Sequence, residues 1–252
     1  MNFSKQGKGP ALIFLHGFCE DLRVWSDISS NLQKDYTVIT VDLPGFGKTP
    51  AGGDTLDDWA RQLEDSVLEP NCPEGVVIIG HSMGGYVSLA YAELFPERVK
   101  GLGLFHSTCT ADPEEKKEGR LKNIRFVKEH GASAFVKQLI PTLFAEGAEK
   151  QLVDRALEIG LECSQEGIVK ALEAMRSRPD RCDTLKTAKY PVLLIAGEKD
   201  TLIPAEALSV LATYPERVLF RLLKKSGHMG LFEEEKESVS TIREFMNLVG
   251  GN

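Results

Sequence analysis

The sequence predicts an α/β domain in which a mostly parallel sheet is covered by helices on both faces and interrupted by an all-helical insertion. Short runs of Val, Ile, Leu and Phe indicate buried strands, because they lack the alternation of apolar and polar residues that half-exposed strands show. Segments with helical periodicity lie between most of these runs. Repeated alternation of strand and helix is typical of a parallel sheet with right-handed crossovers.

The elements follow one another in this alternating order. The predicted strands, in chain order, are Ala11–Leu15, Thr37–Val41, Val76–Ile79, Val99–Phe105, Pro191–Ala196 and Val218–Leu222. The predicted helices are Leu22–Leu32, Leu56–Leu68, Met83–Phe95, Ala205–Leu211 and Glu233–Leu248. This pattern predicts the fold class but by itself indicates no function.

The alternation stops between Cys109 and Asp180, where helix-forming residues are punctuated by glycines and a proline. Apolar residues recur there at helical spacing, as at Phe135, Leu139 and Leu143, so we expect several helices inserted between two strands. Because these helices cannot bury their apolar faces alone, we expect them to cover the sheet edge as a lid. The predicted organisation is a core of residues 1–108 and 181–252 with a helical cap of residues 109–180.

Composition and charge argue against several classes of protein. The chain has 252 residues, of which 42% are hydrophobic and 27% charged, as in ordinary globular domains. With a net charge of −7, the chain lacks the excess of basic residues expected of a dedicated nucleic-acid binder. No apolar run approaches the roughly 18 residues of a membrane-spanning helix, so we expect no membrane partner. The first residues contain no apolar signal segment, which favours a cytoplasmic protein.

The cysteines predict neither a metal site nor a disulfide framework. There are five of them, an odd number, and they are widely scattered with no C-x-x-C pair. We therefore expect small buried or half-buried thiols at Cys19, Cys72, Cys109, Cys163 and Cys182.

A candidate nucleophile stands between a predicted strand and a predicted helix. The segment Gly80–Gly85 reads GHSMGG and places Ser82 on a tight turn after the third predicted strand. Small residues two positions to either side allow the backbone to double back, as in a nucleophile elbow. Amides at the start of the next helix favour negative charge, so the Met83 N–H is a candidate oxyanion donor. The second candidate donor is the Phe18 N–H, in the His16–Phe18 loop after the first predicted strand.

A serine nucleophile requires a base, and the base requires an orienting acid. His228 lies in a glycine-flanked loop after the last predicted strand, and we predict that it is the base. Asp200 follows the strand Pro191–Ala196 and is the predicted acid, with helix N-capping as its alternative role. The order Ser, Asp, His along the chain is the one expected for this type of elbow. Glu198 is the nearest rival for the acid, and Asp112 is a weaker one.

The other histidines and the substrate pocket are less clearly indicated. His16 belongs to the oxyanion loop, His81 is expected to point away from its neighbour Ser82, and His130 lies in the insertion. An apolar pocket beside the catalytic loops and under the cap is expected. The predicted substrate-binding residues are His106, Phe135, Phe144, Ile203 and Met229.

Taken in order, these motifs resemble those of the α/β-hydrolase superfamily with a helical cap, and the resemblance covers nearly the whole chain. The motifs that carry it are His16–Phe18, Asp42–Gly47, Gly80–Gly85, Gly197–Asp200 and Gly227–His228. The resemblance implies an eight-stranded, mostly parallel sheet whose second strand is antiparallel. Because few residues precede Ala11, we expect the first strand or two to be abbreviated.

Within the superfamily, the chain is similar to bacterial carboxylesterases, enol-lactonases and the C–C bond hydrolases of aromatic degradation. It has Ser82 where related dehalogenases and epoxide hydrolases have Asp, which favours acyl transfer. We therefore predict a serine hydrolase that cleaves a small carboxylic ester through an acyl-enzyme, without metal or cofactor. A C–C bond hydrolase or lactonase is the first alternative, and a small-ligand receptor without turnover is the second. The expected partner is a small-molecule substrate, and the sequence indicates no oligomeric state.

Overall fold

A seven-stranded sheet forms the centre of the computed structural model, which describes residues 1–251. The strands are β1 (Phe3–Gln6), β2 (Ala11–Leu15), β3 (Thr37–Val41), β4 (Val76–His81), β5 (Val99–Phe105), β6 (Val192–Gly197) and β7 (Val218–Leu223). Their order across the sheet is β1-β3-β2-β4-β5-β6-β7. β1 is antiparallel to β3, and the other neighbouring pairs are parallel. The prediction of a mostly parallel sheet is confirmed.

The sheet differs from the expectation at its N-terminal edge. β1 does not appear among the predicted strands, because Phe3–Gln6 is a half-exposed edge strand with three polar residues and no apolar run. It is the one strand before Ala11 in the described residues, so the sheet has seven strands where the resemblance implies eight.

Helices cover both faces of the sheet and fill the insertion. They are α1 (Ser26–Leu32), α2 (Leu56–Leu63), α3 (Met83–Leu94), α4 (Glu114–His130), α5 (Ala132–Leu139), α6 (Lys150–Gly160), α7 (Gln165–Ser177), α8 (Cys182–Lys186), α9 (Ala205–Leu211) and α10 (Glu235–Gly250). Two of these helices have a side-chain cap at the N-terminus. Thr55 and Asp58 form a reciprocal capping box at α2, and the Ser164 side chain accepts the Gly167 N–H at α7.

Three predicted helices are interrupted in the structure. The predicted helix Leu22–Leu32 is a 3₁₀ turn, Leu22–Trp25, followed by α1. Beyond α2, the chain continues through a π-helical turn, Glu64–Leu68. The predicted helix Glu233–Leu248 is interrupted at Glu234, whose non-helical φ of −133° separates a single turn, Gly230–Glu233, from α10.

The parallel strands bring the loops with candidate catalytic residues to one edge of the sheet. β4 leads directly into α3, with Ser82 as the connecting residue. β6 ends at Gly197 and β7 at Leu223, just before the loops that carry Asp200 and His228. In an open parallel sheet, ligands bind outside the carboxyl ends of the strands, so this edge is the place for a site.

The segment between β5 and β6 contains α4, α5, α6 and α7, and no strand occurs in its described residues, 109–180. α4 contacts both α5 and α7. The segment also reaches the core, because the His228 N–H donates to the Leu143 carbonyl at 2.7 Å. These contacts support the proposal of a core formed by 1–108 and 181–252 and a cap formed by 109–180.

A disulfide between Cys109 and Cys182 corrects the prediction that all five cysteines are thiols. It joins two residues 73 apart in sequence, one at each end of the helical insertion. The other three, Cys19, Cys72 and Cys163, are buried free thiols, as expected. The sequence could not indicate this pair, because residues so far apart are brought together only by the path of the insertion. The prediction of a cytoplasmic protein stays a prediction.

Removing this disulfide is expected to lower the free energy of unfolding. Closing a long loop constrains the unfolded chain, and native disulfides typically contribute about 2–4 kcal/mol. We expect a Cys109→Ser/Cys182→Ser variant to show a lower urea midpoint than the unaltered chain under oxidising conditions. Reducing agent should lower the midpoint of the unaltered chain but leave that of the double variant unchanged. Equal midpoints for the two oxidised proteins would contradict the prediction.

No helix in the described part of the chain combines the length and the apolar character needed to cross a membrane.

Candidate active site

Ser82 lies on a sharp turn between β4 and α3. Its φ is +48°, in the left-handed region that residues other than glycine rarely adopt. The turn is tight enough that a Cβ added at Gly80 would lie 2.2 Å from the Gly84 carbonyl carbon. A Cβ at Gly84 would lie 2.4 Å from the Leu15 oxygen. Glycine is therefore required at both positions, as the sequence argument for an elbow assumes.

The predicted catalytic side chains are brought into one hydrogen-bonded chain. His228 Nε2 lies 2.8 Å from Ser82 Oγ, and His228 Nδ1 lies 2.7 Å from Asp200 Oδ2. Because the carboxylate can only accept, Nδ1 carries the hydrogen and Nε2 is free to accept the serine proton. This is the tautomer that a histidine base requires.

Asp200 is held as an ionised carboxylate. Its Oδ1 accepts the N–H groups of Leu202 at 2.9 Å and of Ile203 at 3.0 Å. Burial raises its pKa, but the charge and hydrogen bond of His228, together with His106, hold that pKa well below its usual range. A carboxylate in this state stabilises the imidazolium that forms when the base takes a proton.

The rival acids lie elsewhere. Glu198 is exposed, so it is not part of the buried chain. Asp112 forms ion pairs with two guanidinium groups, those of Arg120 and Arg178. Asp200 is therefore the one of the three candidate acids that contacts His228.

The two candidate oxyanion donors lie on fixed backbone. His16 Nδ1 donates to the Gly17 carbonyl at 2.7 Å, and its Nε2 accepts the Leu43 N–H at 2.9 Å. One donor and one acceptor make this ring neutral, and burial lowers its pKa accordingly. Within the described residues, the N–H groups of Phe18 and Met83 donate no hydrogen bond to protein atoms, which leaves both free for an oxyanion.

His81, which the sequence predicts to point away from Ser82, forms its hydrogen bonds with other groups. Its Nδ1 lies 3.1 Å from Glu20 Oε2, and its Nε2 lies 2.9 Å from the backbone oxygen of His228. Since both neighbours are acceptors, both ring nitrogens donate, and His81 is an imidazolium paired with Glu20. Burial lowers the pKa of His81, but the Glu20 carboxylate outweighs it and leaves that pKa raised. The same carboxylate also accepts the Gly17 N–H at 2.7 Å, so it supports the oxyanion loop and the base loop together.

Replacing Glu20 with glutamine is expected to discharge His81. With its folded pKa raised above the ordinary 6.5, His81 stabilises the fold fully below pH 6.5 and loses this contribution as pH rises through the folded value. Without the carboxylate, burial is opposed only by the His228 carbonyl and the more distant Asp200 charge, so the pKa of His81 should fall. Histidine ¹⁵N NMR measures this directly. Glu198→Gln, at an exposed carboxylate, is the control, and an unchanged His81 titration in Glu20→Gln would contradict the ion pair.

Three of the residues predicted to bind substrate lie outside the cavity. His106 is fully buried with Nδ1 3.2 Å from Asp200 Oδ2, and burial lowers its pKa to about 4. Phe144 packs against Phe232, with ring centroids 6.3 Å apart. Met229 is completely buried. The prediction for each rests on its closeness in sequence to a catalytic loop or the cap, which does not decide where a side chain points.

A cavity of about 220 Å³ gives access to Ser82 and His228. Two of the predicted pocket residues, Phe135 and Ile203, line it, and so does Phe18. Most of its wall is apolar, and it is smaller than the roughly 300–1,000 Å³ of pockets for drug-sized ligands. It suits a small acyl group. The lining residues that the sequence did not indicate include Tyr86, Lys116, Arg120, Asn123, Leu172 and Met175.

His106, Asp200 and His228 also form the one cluster of metal-ligand side chains in the described residues, with ligand atoms within 4.8 Å of one another. Asp200 Oδ1 is occupied by two backbone N–H groups, and Oδ2 faces both imidazoles. The geometry of this cluster is therefore explained by the hydrogen bond between His228 and Asp200 and by the burial of His106 beside the same carboxylate.

Comparison with known proteins identifies the family. A family model described as the alpha/beta hydrolase fold matches residues 10–128. The chain is 31% identical over 218 residues to a pimeloyl-[acyl-carrier protein] methyl ester esterase of Aromatoleum aromaticum, covering 81% of this chain and 85% of the relative. It is 27% identical over 264 residues to the enzyme of that name from Vibrio parahaemolyticus, with 97% of each covered.

The solved structures agree. A thermophilic esterase from Thermogutta terrifontis, with malate bound, superposes with a TM-score of 0.94 at 28% identity, covering 98% of this chain and 93% of that one. An enol-lactonase from Burkholderia xenovorans superposes with a TM-score of 0.89 at 18% identity, covering 98% and 96%, and shows the fold alone. As the sequence motifs predict, the chain belongs to the α/β-hydrolase family and is a hydrolase.

Proposed function

We propose that this protein is a serine esterase that cleaves a small carboxylic ester through an acyl-enzyme on Ser82, His228 and Asp200. The single observation that carries the proposal is the continuous hydrogen-bonded chain from Ser82 Oγ through His228 to Asp200, at 2.8 and 2.7 Å. The esterase names of the relatives support the ester bond as the bond that is cleaved.

Each step of the reaction uses a group already in position. Ser82 Oγ attacks the ester carbonyl while His228 Nε2 takes its proton, and the Phe18 and Met83 N–H groups receive the oxyanion. His228 then returns the proton to the leaving alcohol, and the acyl-enzyme forms. Water enters along the cavity and attacks the acyl carbonyl while His228 Nε2 takes one of its protons. The bond between the acyl carbon and Ser82 Oγ then breaks, His228 returns the proton to Ser82 Oγ, and the carboxylic acid leaves.

The cavity size favours a small acyl group. The curated relatives are named for a pimeloyl-[acyl-carrier protein] methyl ester, and for this chain we propose only the shared bond type, a carboxylic ester. A cavity of about 220 Å³ accommodates a short chain more readily than a long one.

Lactonase or C–C bond hydrolase activity would use the same nucleophile and base as esterase activity. A panel of substrates therefore distinguishes the three activities. We expect short-chain alkyl esters to be hydrolysed with a higher kcat/KM than lactones or vinylogous diketones of similar size. A higher kcat/KM for a lactone or a diketone would contradict the proposal.

A receptor without turnover on the same scaffold is separated from an esterase by a second measurement. A fluorophosphonate labels an activated serine whether or not turnover follows. We expect labelling at Ser82 and hydrolysis of short esters in the same preparation. Labelling without hydrolysis of any ester in the panel would favour the receptor.

A further inference from the structure

One face of α4 lines the cavity that contains Ser82, and this face is polar. Lys116, Gly119, Arg120 and Asn123 all line the cavity, and residues spaced three, four and seven apart share one side of a helix. A Cβ at Gly119 would meet nothing within 4 Å, so space is left beside these side chains. The rest of the wall is largely apolar and includes Phe18, Phe135, Leu139, Leu172 and Met175. The carboxylate in this wall, Glu20, is paired with His81.

Lys116 has no hydrogen bond or ion pair with any residue in the described part of the chain. The carboxylate with the strongest attraction for it is Asp112. Both oxygens of Asp112 are already occupied, Oδ2 by Arg120 and Oδ1 by Arg178 at 2.8 Å. These four side chains carry three positive charges and one negative charge, so this end of the cavity has an excess of positive charge.

An unpaired ammonium in a partly buried position is energetically unfavourable unless an anion binds to it. Desolvation lowers the pKa of Lys116 below its ordinary 10.5, which reflects this cost. The neighbouring Lys117, on another side of the same helix, is instead paired with Glu114 at 2.8 Å. A lysine with only a structural role would be paired as Lys117 is, or its ammonium would extend into water.

We propose that Lys116, assisted by Asn123, binds a carboxylate on the substrate, so that the preferred substrate is a half-ester of a short dicarboxylic acid. This proposal rests on the esterase function proposed above. One free ammonium matches one negative charge, and the apolar wall accommodates the methylene groups between the carboxylate and the ester. The small cavity, about 220 Å³, limits the number of those groups.

The test compares two esters that differ in one end group, monoethyl glutarate and ethyl valerate. Ethanol release gives kcat/KM for each. We expect the ratio of half-ester to neutral ester to be about 10–100 for the unaltered protein, the range of a hydrogen bond to a charged group. The Lys116→Met variant should lower this ratio by the same factor, mainly through KM, and Lys116→Arg should retain most of it. Lys122→Met, at an exposed lysine of the same helix, should leave the ratio unchanged.

Calorimetric binding gives a readout that does not depend on turnover. Monoethyl glutarate should bind the Ser82→Ala protein about 10–100-fold more tightly than it binds the Ser82→Ala/Lys116→Met protein. A ratio near one, or a ratio that Lys116→Met leaves unchanged, overturns the carboxylate site while the esterase proposal stands. Hydrolysis of neither ester, with binding that still depends on Lys116, overturns the esterase proposal and keeps the site.

Discussion

Replacing Ser82 with alanine is expected to lower kcat for ester hydrolysis by about 10⁶-fold, the loss found when a catalytic serine is removed from a triad. In the proposed mechanism the hydroxyl forms the acyl bond, and its Oγ lies 2.8 Å from His228 Nε2. The candidate oxyanion donors are unchanged by this substitution, so a small residual rate is expected. Steady-state hydrolysis of a short ester, with the variant purified free of unaltered protein, measures the change.

Ser209→Ala is the matched control, because Ser209 is exposed and its hydroxyl bonds only to the Glu206 carbonyl. It should retain full activity. A Ser82→Ala protein with activity within tenfold of the control would show that another group is the nucleophile.

Replacing Asp200 with asparagine is expected to lower kcat by about 10⁴-fold, as when a triad carboxylate becomes an amide. The carboxylate holds the hydrogen on His228 Nδ1 at 2.7 Å and so leaves Nε2 as the proton acceptor. An amide can donate to Nδ1 and favour the opposite tautomer. His106 Nδ1 also lies 3.2 Å from Asp200 Oδ2, so the substitution is expected to disturb that buried ring as well.

The matched control for Asp200→Asn is Glu198→Gln. Glu198 is exposed and is the nearest alternative to Asp200 as the acid in the sequence. The kcat of Glu198→Gln should stay within twofold of the unaltered protein. To separate chemistry from unfolding, the urea midpoints of both variants are measured alongside kcat. A loss of activity in Glu198→Gln that exceeds the loss in Asp200→Asn is inconsistent with the proposed triad.

The buried strands could be predicted from sequence because burial on both faces leaves an uninterrupted apolar run. β2, β3 and β5 have the bounds that the sequence predicts. β1 could not be predicted in this way, because an edge strand needs apolar residues on one face at most, and Phe3–Gln6 has a single aromatic residue.

The candidate triad could be proposed from sequence because each member lies at a strand end, where topology determines position. The contacts that support these three residues could not be predicted from sequence. Glu20 comes next to His81 only through the fold, although its position three residues after Gly17 was an available signal. The pairing of Cys109 with Cys182 and the cavity-facing side of α4 also depend on how the insertion packs, which its sequence periodicity does not specify.

The proposed mechanism passes through a covalent acyl-enzyme on Ser82, and this intermediate can be trapped. p-Nitrophenyl acetate is mixed with the protein, the reaction is quenched in acid during turnover, and the modified peptide is identified by mass spectrometry. We predict one acetyl group on the peptide that contains Ser82, and none on that peptide in the Ser82→Ala protein. Turnover with no acetyl adduct, or with the adduct on a different residue, would rule out Ser82 as the nucleophile.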